Sequence, residues 1–383
     1  MLFNSFEFFL FLPLVFALYW FVLNRSLQWQ NALILVASYF FYGWWSWAFM
    51  GLLMLSTALD YAYGFWVASP DRKKAKLFLW LSIVNNLGIL AVFKYYNFFA
   101  LQFQEGLELL GLHTNPVLLQ LALPIGISFY TFHGMSYVFD IYRGQQKPVR
   151  NFVDYAVFVS FFPLLVAGPI ERANHLLPQV QKARIFKYQQ ALEGCRLILW
   201  GLFKKVVIAD TLAGIVDQIY QNPGELNSFT LILGAIGFSF QIYGDFSGYS
   251  DIALGTAKLF GFELLSNFKF PYFSRDLAEF WRRWHITLGA FMRDFLYIPL
   301  GGNRVGSKWR LYFNLWLVFL VSGLWHGASW NFVLWGAFHG FFLILDRLFL
   351  LKFLEKIGKV PAAIFTFFVV AMAWVLFRIE RDR

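Results

Sequence analysis

Long apolar runs separated by short polar breaks dominate the chain. Residues 6–23, 31–55, 77–93, 117–139, 152–166, 197–212, 229–243, 311–324, 332–345 and 360–377 are each rich in Leu, Val, Ile and Phe with few charges. A helix needs about 20 apolar residues to cross the ~30 Å hydrocarbon core of a bilayer. The longer runs therefore predict membrane spans, and the shorter ones predict re-entrant helices or helices buried by other protein. The expected fold class is an all-α polytopic integral membrane protein. One segment departs from the pattern. Between 274 and 300, Asp276, Glu279, Arg282, Arg283, Arg293 and Asp294 alternate with Phe280, Trp281, Trp284, Leu288, Phe291 and Phe295. The apolar positions recur at helical spacing, and Glu279 can pair with Arg282 and Arg283 at i+3 and i+4. Such a stretch is too charged for open lipid and is expected at the interface or in a protein-lined cavity.

Composition supports the membrane assignment. Apolar residues make up 59% of the 383 and charged ones 14%, against about 45–50% and about 25% in soluble proteins. Water alone could not solvate such a surface. The net charge of +10 is clustered: Arg72, Lys73, Lys74 and Lys76 share one loop, and Lys182, Arg184, Lys187 and Lys352, Lys356, Lys359 form two further groups. Such clusters record orientation, placing the first loop in the cytoplasm, and mark contact with anionic lipid rather than nucleic acid. The first run follows no basic residue and precedes no small-residue cleavage pattern, so it reads as a retained span. The single Cys195 excludes an internal disulfide and a multi-cysteine metal site, and is expected as a buried, inert thiol. With no long polar linker or repeat, residues 1–383 read as one transmembrane domain.

Candidate chemistry rests on histidine. His326 lies between two hydrophobic runs in Ser322-Gly-Leu-Trp-His-Gly-Ala-Ser-Trp330. An ionisable group at membrane depth is costly and usually faces a functional cavity, while Gly323, Gly327 and Ala328 allow close helix packing or substrate approach. A neutral histidine bonding a carbonyl across helices is the alternative. His339 follows 13 residues later; on one continuous helix the two rings would be ~20 Å apart on different faces and could form no dyad. His285, in the charged segment, can approach His326 only through the fold. His113 and His175 sit in polar loops, where solvated roles are expected, and His133 is open. No Walker loop, HExxH pair or nucleophile elbow occurs. Asp245-Phe-Ser-Gly-Tyr-Ser-Asp251 matches no hydrolase site and reads as a capped helix start.

Three runs carry a resemblance. Phe280-Trp-Arg-Arg-Trp-His-Ile-Thr-Leu288, Arg293-Asp-Phe-Leu-Tyr-Ile-Pro-Leu-Gly-Gly-Asn-Arg304 and Gly323-Leu-Trp-His-Gly327 resemble the membrane-bound O-acyltransferases, specifically the bacterial AlgI/PatA/DltB-like branch. Leu123-Pro-Ile-Gly-Ile-Ser-Phe-Tyr130, Ala167-Gly-Pro-Ile170 and the 245–251 run also match that branch, in its order. The resemblance implies about ten or more membrane-embedded helices around a central tunnel, with interfacial and re-entrant helices besides. It implies His326 as catalytic base, His285 facing it, and Trp325, Trp281, Trp284 and Asn303 as tunnel residues. Arg282, Arg283, Arg293, Lys204 and Lys205 become candidates for holding donor phosphates. No metal or bound cofactor is expected; acetyl-CoA is the expected donor substrate. The acceptor is a polysaccharide, reached through an extracytoplasmic esterase-like partner, and the location is the bacterial cytoplasmic (inner) membrane. Relatives of the alginate type continue with further spans beyond a segment like 374–378, so this chain is expected to be a shorter version or a fragment.

Two rivals stay open at this stage. One keeps the enzyme but uses carrier-bound D-alanine as donor. The other is a transporter of a lipid or glycan precursor, against which stand the lack of a visible inverted repeat and the few intramembrane carboxylates.

Overall fold

The computed structural model describes residues 1–378, and every regular element among them is helical. Five helices are long and apolar enough to cross a membrane: Trp47–Val67, Arg72–Glu108, Ser228–Leu259, Trp330–Ile357 and Lys359–Arg378. Shorter apolar helices, among them Phe6–Val22, accompany them. The outward faces carry Phe, Leu and Trp side chains such as Phe21, Trp29, Phe103 and Trp309. An aqueous protein could not keep that surface dispersed.

Several apolar runs divide where the backbone needs a turn. The run 31–55 is two helices, Leu27–Gly43 and Trp47–Val67, because Ser46 caps the second by accepting from the Phe49 N–H at 3.4 Å. The run 117–139 is helical only from Ile127, after Pro124 and a left-handed Gly126. Residues 152–166 form two short helices, Phe152–Ser160 and Phe162–Leu165, whose side chains from Tyr155 to Leu165 are buried in protein. The 245–251 run is not a helix start: it lies inside the 32-residue helix Ser228–Leu259. Cys195 is exposed on the helix Tyr188–Leu202 rather than buried, since that face turns away from its neighbours.

Backbone proximity divides the chain into two compact units. The first comprises residues 1–200 and 251–265. Its interior holds a polar network: Asp60 accepts from Ser82 at 2.9 Å and from Asn86 at 2.8 Å, all three within 1% of full burial. Buried hydrogen bonds of this kind tie helices together where lipid offers no competing partner. His175 is not loop-borne; it sits on the short helix Ala173–Val180 and pairs with buried Glu171 at 2.8 Å. That contact raises its pKa. His133 accepts the Glu171 N–H at 3.1 Å through its Nε2, a contact that ties two segments of this unit together.

The second unit comprises residues 201–250 and 266–383. Its core joins Phe238, Phe280, Trp284, Trp335, Val370 and Trp374. The helices Lys308–His326 and Trp330–Leu345 form a hairpin closed by Gly327, Ala328 and Ser329. Two glycines set how closely they approach. A Cβ on Gly323 would lie 2.2 Å from the Phe332 carbonyl oxygen, and one on Gly336 would lie 2.2 Å from that of Phe319. Small residues let the helix backbones touch, the packing available when lipid removes the hydrophobic drive between helices.

Candidate active site

All of the candidate site lies in the second unit. The charged segment is not one helix. It breaks between Leu277–Arg283 and Ile286–Met292, and His285 stands at the break with φ 44° and ψ 52°. A left-handed backbone is unfavourable for a non-glycine residue and persists only when its surroundings fix it. Here the Ile286 N–H donates to the Asn267 carbonyl at 3.0 Å, and the Gly289 N–H donates to the carbonyl of His285 at 3.0 Å. Asn267 is itself held, accepting from Thr287 Oγ1 at 2.7 Å and donating to Ser250 Oγ at 3.1 Å. The break turns the His285 ring inward, where it is 2% exposed and edge-on to Phe246 at 4.7 Å.

His326 is the last residue of its helix. Its ring centroid lies 6.4 Å from that of His285. Trp325 flanks both rings, at 5.9 Å from His285 and 4.9 Å from His326. Trp335 and Phe377 close on His326 at 5.1 and 5.4 Å. His326 is half-buried, so the ring is not sealed. Neither ring nitrogen of His285 has a hydrogen-bond partner among the described residues. Buried polar atoms are mostly satisfied, so the unpartnered ring, together with the cavity it lines, makes His285 a candidate for holding a ligand or a proton. His285 lies outside the five spanning helices. Burial, and then repulsion from the neighbouring His326 imidazole whenever that ring is protonated, hold its imidazole well below the ordinary histidine range.

A cavity of about 570 Å³ opens on the His285 side of the pair; His285 lines it, whereas His326 and Trp325 stand behind that wall. Buried Leu288, Met292, Val318 and Leu343 make its walls with Trp281 and His285, while exposed Arg282, Arg293 and Arg347 line its rim. Arg293 and Tyr297 come from a π-helical turn, Arg293–Tyr297, and Asp346 and Arg347 from another, Asp346–Leu350. Such widened turns often occur at functional sites because they redirect side chains without ending the helix.

The sequence-derived residues distribute unevenly over this geometry. His285, His326, Trp325 and Trp281 come together. Trp284 does not line the cavity; it packs at 4.9 Å on Trp374 in the core. Asn303 is exposed, accepting from Tyr297 Oη at 2.8 Å and from Arg347 at 3.3 Å, and so links the two π-turns. Glu279 holds Arg283 at 2.6 Å and Arg275 at 3.4 Å, not Arg282. Arg282 makes no ion pair among the described residues and faces the cavity, whereas Arg293 is shared with Asp294 at 2.7 Å. Lys204 donates to Ser247 at 2.9 Å, and Lys205 bridges Asp210 and Asp245 at 2.7 and 2.6 Å. Both lysines thus tie the π-turn Phe203–Ala209 to the helix carrying the 245–251 run, away from the cavity.

Two residues were not legible beforehand. The 13-residue spacing separates His339 from His326 only on one straight helix; the hairpin folds it back, so that Trp335 contacts both rings, at 5.1 and 4.8 Å. Asp346, 2% exposed, lines the cavity. Its signal in sequence was a carboxylate at the end of a hydrophobic run. Among the described residues no group of three metal-ligating side chains occurs.

The family model described as MBOAT, membrane-bound O-acyltransferase family, matches residues 146–377. The chain is 42% identical to the probable alginate O-acetylase AlgI of Azotobacter vinelandii over 99% of this chain and 75% of that protein. It is 37% identical to the peptidoglycan O-acetyltransferase of Helicobacter pylori, over 90% of this chain and 70% of that one. Likeness to the teichoic acid D-alanyltransferase of Streptococcus thermophilus is 29%, over 60% of this chain and 58% of that one.

Proposed function

The chain belongs to the membrane-bound O-acyltransferase family, and from that premise we propose that it moves an acetyl group from a cytosolic thioester, acetyl-CoA, towards an extracytoplasmic polysaccharide. The observation that carries the reading is the pair of imidazoles, 6.4 Å apart, of which His285 lines a cavity with arginines on its rim. A thioester brings its own leaving group, so the protein must supply a base and orientation. In this reading a neutral His326 takes the proton from an acceptor hydroxyl as the oxygen attacks the thioester carbonyl. The carbon–sulfur bond breaks, and the departing thiolate receives the proton. General-base catalysis of this kind contributes about 10²–10⁴-fold. His285 holds the thioester carbonyl or the hydroxyl across from the base. Trp281 and Trp325 exclude water that would hydrolyse the thioester. Arg282, Arg293 and Arg347 receive the donor's phosphates at the rim.

The acceptor is an exopolysaccharide or peptidoglycan, reached through an esterase-like partner outside the cytoplasmic membrane. The acetyl donor is preferred to D-alanine because likeness to the acetylating relatives is higher and spans more of both chains. The test is a His326→Ala substitution in cells. Ester-linked acetate on the envelope glycan should disappear while the protein stays at wild-type abundance; persisting acetate would end the assignment. Loss of ester alanine instead would move the donor to the D-alanyl class, and a purified protein that never consumes acetyl-CoA would favour a transporter.

A further inference from the structure

We propose that Asp346 is a recognition residue for the donor, its free carboxylate oxygen accepting an amide N–H from the flexible arm that carries the thioester. The inference rests on the acyl-transfer reading above and adds a polar subsite to it. The cavity is apolar over most of its wall, and Asp346 is the buried carboxylate in that wall. One oxygen, Oδ2, accepts the Leu277 N–H at 3.1 Å, which anchors the short helix leading to Trp281 and His285. The other, Oδ1, is buried with no hydrogen-bond partner among the described residues. A carboxylate can accept from several donors, and leaving one oxygen unmet in an apolar wall is costly. The π-turn Asp346–Leu350 brings both Asp346 and its neighbour Arg347 to the cavity. Arg347 stands at the rim and Asp346 is enclosed, in the order in which a phosphate-ended arm would present its phosphate and then its amides. His285, also buried, lines the same cavity. A pantetheine arm has this chemistry, whether it belongs to coenzyme A or to a carrier protein.

The experiment uses the full chain in lipid nanodiscs and measures binding of four probes: pantetheine, coenzyme A, a carrier protein bearing the phosphopantetheine arm, and 3′,5′-ADP, which has phosphates but no arm. Asp346→Ala should weaken pantetheine about tenfold, the scale of one hydrogen bond to a charged group. It should weaken whichever of coenzyme A or carrier protein the wild type binds by the same factor, and so identify the source of the arm. Any binding of 3′,5′-ADP should not change. Asp346→Glu, which keeps the acceptor, should recover part of the loss. Unchanged pantetheine binding would overturn the proposal while leaving acyl transfer intact. An equal loss on all probes that bind, with a lowered melting temperature, would reduce Asp346 to a helix anchor and also overturn it. A wild type that binds none of the probes would remove the donor reading itself, and this inference with it.

Discussion

At the scale of single residues, His285 combines an unfavourable backbone with an unsatisfied, buried ring. Each feature costs of order 1–3 kcal/mol. A residue kept only for packing would be replaced by one without those costs. Asparagine tolerates the left-handed region, so His285→Asn separates backbone from chemistry. Its melting temperature should stay near that of the wild type, while acyl transfer falls about 10²–10⁴-fold, the range for losing a positioned proton-handling group. Measuring both on the same preparation checks the claim; a collapse of stability with activity would show that the ring is structural. Histidines 133 and 175 illustrate the opposite case. Each has at least one ring nitrogen bonded to a partner in the first unit, and neither lines the cavity that His285 faces.

At the scale of elements, the site depends on breaks in helices rather than on helices. His285 sits between two short ones, and His326 ends one arm of a hairpin. The hairpin in turn depends on glycine. Replacing Gly336 by valine would drive a side chain into the Phe319 carbonyl, 2.2 Å from where its Cβ would stand. The helices must then separate, with loss of about 1–3 kcal/mol by overpacking. The melting temperature should drop and donor binding weaken with it, whereas Gly51→Ala, where a Cβ meets nothing within 4 Å, should change neither. The polar side chains of the 245–251 run act at this scale too. Asp245 and Ser247 fasten Lys205 and Lys204, so that a helix otherwise free to rotate in lipid is fixed in orientation.

At the scale of the whole molecule, the basic clusters and the apolar exterior set how the protein lies in a bilayer. Arg72, Lys73, Lys74 and Lys76 begin the long helix Arg72–Glu108, capped by Asp71. The positive-inside rule predicts that this end faces the cytoplasm. Cys195 is exposed and must first be replaced by serine. With Lys74→Cys in that background, a membrane-impermeant maleimide should label the protein only after the cells are permeabilised. Labelling of intact cells would invert the orientation, and with it the side from which a cytosolic donor could enter.

The class of fold could be read from the chain because lipid imposes it: long apolar runs with so few charges permit helices and little else. His326 stood out for a related reason, since an ionisable residue between membrane-depth runs is conspicuous, whereas His285 and Trp281 entered as site candidates through the family resemblance. Helix ends were less legible, because Ser46 and Gly126 redirect the backbone through hydrogen bonds and torsions that hydropathy does not register. The places of Trp284, Lys204, Lys205, Asn303, His339 and Asp346 were set by tertiary structure alone. Whether an indole walls a cavity or fills a core, and whether a lysine meets a ligand or a carboxylate, depends on which helix lies opposite. That is decided by how the hairpin folds back and where the π-turns widen, and no local pattern in the sequence encodes it.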